Sequence, residues 1–289
     1  MRNWTTTLVL IALIAVPGCG RKDETPTRPT IRVTGIPDEN PTRLSREYQP
    51  LVELLSDALE AEVIYIPVTD YSAAVQALAS GTVDFAWLGG FTHVQARNQG
   101  QVVPLVMRDI DREFHSVFIA ATNAGIGEVA GVKGKKFAFG SKSSTSGHLM
   151  PRHYLLTEYG IDPDRDFDGE PVFSGAHDAT VKIVESGRVA AGALNKQVWE
   201  RMVAERTVDT SKVAVIWETP PYVDYVWTAR TAVPEQVRAR FAAAFLGLDA
   251  AKPRDKVVLD RMGAVKYVGA TPADFDAIEA VAKRVGMLE

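Results

Sequence analysis

From Ile31 onward the apolar positions switch repeatedly between a period of two and a helical period. The strand-like stretches are "IRVTGIP", "EVIYIPV", "VDFAWLGG", "VVPLVMR" and "HSVFIAAT". Amphipathic helices are predicted between them over 42–60, 71–79 and 91–98. Near Asn123 the alternation starts again. "KKFAFG", "PVFSG", "VAAGALN" and "KVAVIWE" read as strands, and 146–160, 177–186 and 197–205 as helices. After Pro220-Pro221 comes an extended run, "YVDYVWTAR", and two helices over 234–247 and 272–286 finish the chain. Strands that alternate with helices argue for an α/β fold built on parallel-type sheets. The restart divides it into two lobes, 31–118 plus 226–289 and 119–225. A lobe interrupted by another needs two crossover segments, and ligands bind in the cleft above such crossovers.

The first thirty residues follow a different rule. Arg2 precedes a nine-residue apolar core, Leu8 to Val16, which is too short to span a bilayer. It ends in "VPGCG", so 1–18 reads as a secretory signal peptide. Gly18-Cys19 resembles the end of a lipobox, although Val16 and Pro17 replace the usual leucine and small residue. Cys19 is then the candidate lipidation site, and 19–30 the anchor and tether. It is the one cysteine of the chain, so no internal disulfide forms. The net charge is −4, from 32 basic and 36 acidic residues. That balance gives no basic surface for nucleic acid. If the ligand is an anion, local geometry has to attract it.

Five hydroxyls fall within Ser141–Ser146, broken only by Lys142, ahead of Gly147. There a strand runs into a turn that opens a helix. The first amides of a helix lack intrahelical partners and that end is positive. Hydroxyl donors placed there make an anion cradle on an open turn, or simply a serine-rich cap. Three other strand ends are similar: "VTDYSAAV" with Asp70 and Tyr71, "WLGGFTH" with Gly90, Phe91 and Thr92, and "FSGAHDA" with His177 and Asp178. Carboxyl ends of parallel strands face one crevice, so four turns converge, two from each lobe. Asp70 reads as a helix cap. Asp178 reads as a cap or a ligand contact, and His177 as a donor or a structural histidine. Trp87, Phe91, Tyr222 and Tyr225 are aromatic walls or core.

The motifs "IPDENP", "TDY", "GTVDFAWLGG", "SSTSG", "FSGAHDA" and the Pro-Pro segment together resemble the periplasmic substrate-binding proteins of phosphate/phosphonate-type ABC importers. "WLGGFTHVQAR", "STSGHLMPR" and "PPYVDYVWT" most resemble a subgroup named for selenate binding. The resemblance implies a type II, two-lobed binding protein that closes on a small tetrahedral oxyanion and performs no chemistry. By position it implies that Ser144, Thr145, Ser146 and His177 donate to the anion and that Tyr71 closes over it from the other lobe. It places Asp224 near a carboxylate that holds the amine of aminophosphonates. The second such place, Asn195-Lys196, carries no carboxylate, which speaks against an amine-bearing ligand. The implied partners are an ABC permease and the oxyanion, phosphonate, phosphite or phosphate in type, with selenate or a sulfate-like anion the alternative. The protein is expected to act as a monomer outside the cytoplasmic membrane, without a cofactor.

Three other classes have weaker signals. Serine, histidine and aspartate could serve acyl or phosphoryl transfer, but neither Gly-x-Ser-x-Gly nor a Walker loop is present. A metal site is not indicated, because His93, His115, His148, His153 and His177 are scattered. A tethered sensor would use the same closure as an importer. The lipobox reading has a direct check: Cys19→Ser should abolish palmitate labelling, and labelling that persists would refute it.

Overall fold

The computed structural model describes Met1 and residues 28–289, so the proposed signal, Cys19 and nearly all of the tether lie outside the described residues. The first lobe begins with β1 (Thr30–Gly35), α1 (Pro41–Leu59), β2 (Glu62–Tyr65), α2 (Tyr71–Ser80), β3 (Phe85–Leu88), α3 (Gly90–Gln99) and β4 (Val102–Arg108). The second runs through β5 (Ser116–Ala121), β6 (Phe137–Phe139), α4 (Met150–Thr157), β7 (Val172–Phe173), α5 (His177–Glu185), β8 (Ala191–Asn195), α6 (Lys196–Ala204) and β9 (Val213–Glu218). The chain then returns to the first lobe with β10 (Val226–Arg230), α7 (Glu235–Leu246), α8 (Pro253–Met262), β11 (Tyr267–Gly269) and α9 (Asp276–Arg284).

The local reasons are legible. Asn40 caps α1, its Oδ1 accepting from the Thr42 and Arg43 amides, and Pro41 opens the helix. Leu44, Tyr48, Leu51, Leu55 and Leu59 form its buried stripe. Asp70 caps α2 by accepting from the Ala73 amide at 2.8 Å. Gly81, at φ 83°, ends that helix in the left-handed region.

Neither sheet is purely parallel. The first has the order β11-β4-β10-β3-β1-β2 and the second β7-β6-β8-β5-β9. β1 is parallel to β2 and β3, and β6 to β7 and β8. The returning β10 inserts antiparallel between β3 and β4, and β5 lies antiparallel to β8 and β9. The expected parallel-type sheets are therefore corrected to mixed ones: β5 and β10, which enter their sheets from the crossovers, run against their neighbours, and β11 runs antiparallel to β4. The sequence cut at 118/119 falls inside β5, all of which belongs to the second sheet. The extended run ahead of Arg230 divides into a bridge at Tyr222 and the core strand β10. Helix α8 and strand β11 were not expected. The apolar positions of α8 are few, and β11 has only three residues. Among the described residues no helix is long and apolar enough to cross a membrane.

The two crossovers run side by side. Phe114 and Tyr222 exchange both backbone hydrogen bonds, at 2.8 and 3.0 Å, and the Asp224 amide donates to the Asp111 carbonyl. Beneath them lies a buried ion pair. Arg108 donates through Nε and Nη2 to Asp111 at 2.8 and 2.6 Å, and through Nη1 to the Met262 carbonyl. Its guanidinium stands 5.0 Å from the Tyr225 ring and 5.3 Å from the Trp87 ring. Burial raises the Asp111 carboxyl while Arg108 pulls it back down. Removing one member of such a pair leaves a bare buried charge. Asp111→Ala should therefore lower unfolding free energy by about 3–5 kcal/mol in denaturant titration. A loss below about 1 kcal/mol would mean that the pair is not holding the crossovers.

Candidate functional site

The turn expected to cradle an anion carries buried hydroxyls, two of which already accept a hydrogen bond. Thr145 opens a five-residue π-type turn, Thr145–Leu149, which runs into α4. Ser144 Oγ accepts from the Gly147 amide at 2.9 Å. Thr145 Oγ1 accepts from the Phe91 amide, across the cleft, at 3.0 Å. With the acceptor side taken, each hydroxyl keeps its proton for another partner. The Ser146 hydroxyl lies beside Asp224 and Tyr222. Gly147 is required by crowding: a Cβ there would stand 2.9 Å from Ser144 Oγ and 3.0 Å from the His177 ring.

The first lobe supplies the opposite wall. Gly89-Gly90 opens α3 with no cap of its own. Its leading amides are satisfied from elsewhere: Gly90 donates to Asp224 Oδ1 at 2.9 Å, and Phe91 donates to Thr145. The positive end of α3 thus holds the Asp224 carboxylate. A Cβ on Gly89 would come within 3.1 Å of that carboxylate and 3.0 Å of Thr145 Oγ1. Asp224 Oδ2 and the Tyr71 hydroxyl are buried without any partner. The Tyr71 hydroxyl lies beside Ser144. Orphaned buried polar atoms are rare and call for a ligand, ion or water. Here one strong acceptor from the returning crossover and one hydroxyl from the first lobe meet three hydroxyls from the second.

His177 completes the cluster as a neutral donor. Its Nδ1 accepts from the Asn195 amide at 3.4 Å, which puts the proton on Nε2. Burial pushes its pKa down to about 3, so the ring is uncharged. Nε2 lies 3.4 Å from the Tyr225 hydroxyl. That hydroxyl donates to Asp38 Oδ2 at 2.8 Å and accepts from Asn195 Nδ2 at 3.2 Å. The Tyr225 ring stacks on Trp87, with centroids 5.7 Å apart. Burial raises Asp38 to about 6 and Asp224 to about 7, although the Gly90 amide and the Thr145 and Ser146 hydroxyls pull Asp224 down. Among the described residues none of the hydrogen bonds to Asp224, Ser144, Thr145 or His177 comes from lysine or arginine. No group of three or more potential metal ligands occurs among them either.

Of the residues singled out in the sequence, Tyr71, Ser144, Thr145, Ser146, His177, Asp224 and Tyr225 come together. Gly90 and Phe91 contribute amides, and the Phe91 ring is core. Thr92 turns inward, its hydroxyl donating to the Gly89 carbonyl. Asp178 is not in the cluster: it accepts from the Asn40 and Ala179 amides. The expectation of an open turn is corrected, since Ser144, Thr145 and Ser146 are each at most 2% exposed. Asp38 and Asn195 were missed as participants. The rule that placed the other turns at strand ends applies equally to Asp38, three residues after β1 ends at Gly35.

Residues 33–275 match the family described as "ABC transporter, phosphonate, periplasmic substrate-binding protein". The chain belongs to this family. A relative from Prochlorococcus marinus (strain MIT 9301), named a probable ABC transporter phosphite binding protein, PhnD1, is 37% identical over 270 residues, 89% of this chain and 90% of that protein. The solved structure of PhnD1 from Prochlorococcus marinus with methylphosphonate superposes with a TM-score of 0.85 at 36% identity, covering 89% of this chain and 98% of that one. The phosphate-import protein PhnD of Mycolicibacterium smegmatis is 28% identical over 72% of this chain and 68% of its own. The phosphonate-binding family consists of substrate-binding components of importers, not enzymes, which sets aside the acyl- or phosphoryl-transfer reading of the serine and histidine turns.

The two hydroxyls of the cradle should respond differently to truncation. Thr145→Ala strands the buried Phe91 amide, so the ligand-free protein should lose about 1–3 kcal/mol of stability, together with anion affinity. Ser146→Ala should weaken anion binding roughly tenfold or more with little effect on unfolding. Equal stability losses in the two variants would contradict this division.

Proposed function

We propose that the protein captures a phosphorus oxyanion that carries a proton, with phosphite and methylphosphonate as the fitting ligands, and presents it to an ABC permease. The observation that carries this reading is the orphaned Oδ2 of Asp224, buried among donors. A bare dianion can only accept hydrogen bonds, so it would set two acceptors against each other. A ligand with one O–H donates to Oδ2 while its other oxygens receive the Ser144, Thr145, Ser146, Tyr71 and His177 protons. Asp38 behind Tyr225 adds a second carboxylate, which further disfavours a fully ionised anion. The names of the Prochlorococcus relatives agree with this class.

Capture works by closure in this reading. Donors from both lobes have to surround one anion, so the ligand selects the closed arrangement. The paired crossover segments at Phe114 and Tyr222 act as the hinge. The protein stands outside the cytoplasmic membrane, held by a diacylated Cys19 and the tether that follows it.

Proton accounting separates the candidate ligands. The closed site holds Asp224 at about 7, above its ordinary 3.8, so closure favours the protonated carboxyl and rising pH opposes it. Methylphosphonate brings its own proton. Its affinity should stay flat below its second ionisation and fall about tenfold per pH unit above it. Selenate and sulfate bring none, so Asp224 must take one from solution, and their affinity should fall about tenfold per unit across the neutral range. Competition calorimetry at pH 7 should therefore show phosphite and methylphosphonate displacing selenate. Asp224→Asn should flatten both pH profiles and narrow the gap. Selenate winning at pH 7 in the unaltered protein would overturn the reading.

A further inference from the structure

The loop after β1, Ile36–Asn40, carries the motif "IPDEN", and three of its successive residues reach the second lobe. The Asp38 carbonyl accepts from the His177 amide at 2.9 Å. The Glu39 carboxylate pairs with Arg201 of α6. The Asn40 amide donates to Asp178 at 3.1 Å. Beside them, Arg43 of α1 grips Glu205 through both terminal nitrogens, at 2.7 and 2.8 Å, and holds Glu47 through Nε at 2.7 Å. Arg43 also stands 3.8 Å from Glu39. Glu39, Arg43, Arg201 and Glu205 line a crevice of about 570 Å³ between the lobes, together with Asp38 and Tyr225.

We propose that Glu39 and Arg201, with Arg43 and Glu205 outside them, form a latch across the cleft that sets how long a captured anion stays, without touching it. The proposal rests on the closure described above. Glu39 and Arg201 are positioning residues: they fix the loop whose Asp38 orients the Tyr225 hydroxyl. Glu39 is only 6% exposed, and its burial and the neighbouring Asp38 push its carboxyl up to about 7. That unfavourable burial is offset chiefly by Arg201, a residue of the opposite lobe, with a smaller share from Arg43 of its own lobe, so most of the offset is lost when the lobes part. A pair made after encounter and broken before release acts on the dissociation rate.

Stopped-flow kinetics with methylphosphonate, phosphite, phosphate and selenate test this. Glu39→Gln and Arg201→Met should each raise koff about tenfold or more, leave kon within about threefold and leave ligand-free stability unchanged. The double variant should be no worse than either single one, because the two changes break one interaction. Arg201→Lys should recover part of the loss. The koff factor should be the same for every anion that the unaltered protein holds. If that protein prefers another anion, the ligand reading fails while the latch factor stands. An unchanged koff, independent effects that multiply in the double variant, or a factor that differs between anions would overturn the latch. Should Glu39→Gln not fold, Arg43→Met and Glu205→Gln break the outer pair and carry the same expectation.

Discussion

One buried carboxylate constrains the rest of the site. Asp224 has its Oδ1 on the first amide of α3, while its Oδ2 is buried beside the Thr145 and Ser146 hydroxyls without a hydrogen bond of ordinary geometry. An ionised oxygen held out of water without a donor is unfavourable. The surroundings respond by raising its affinity for a proton, and a ligand that supplies one relieves the cost. Thr145 ties the second lobe to the same helix end, through the very next amide. The helix terminus that looks like an anion site is thus already occupied by protein groups. On the proposed reading the ligand is left with side-chain hydroxyls, an imidazole N–H and one carboxylate. A set of that kind selects by protonation state more than by charge.

Holding such a set together requires rigid backing on both sides. The Arg108–Asp111 pair anchors the crossovers and stacks beneath Tyr225, so the wall of the candidate site and the crossovers share one buried support. Two glycines allow the approach: Gly89 lets Thr145 and Asp224 reach α3, and Gly147 lets His177 lie against the serine turn. The ion pairs from the "IPDEN" loop then sit outside this core, joining the two lobes.

Much of this was legible in the chain. The alternation of periods located nine of the eleven strands cleanly, and the turns after β2, β3, β6 and β7 do come together. What failed has physical causes. Strand direction is not written in a strand's own pattern, so the antiparallel setting of β5 and β10 was not legible, and β10 read only as an extended run although it is a buried sheet member. Asp178 looked like a ligand because it neighbours His177. Only the three-dimensional approach of the Asn40 amide shows what it binds. Asp38 and Asn195 were overlooked because one acts on Tyr225 from another lobe's edge and the other looks like the plain cap of α6, which it also is. The open turn was misjudged because burial of Ser144–Ser146 comes from the opposite lobe.

The account turns on whether the bound anion and Asp224 hold one proton between them. Titration calorimetry in buffers of different ionisation heat counts protons taken up on binding. Above the second ionisation of methylphosphonate, the unaltered protein should take up about one proton per ligand and the Asp224→Asn variant none. Binding of methylphosphonate there with no proton uptake by the unaltered protein would contradict the account.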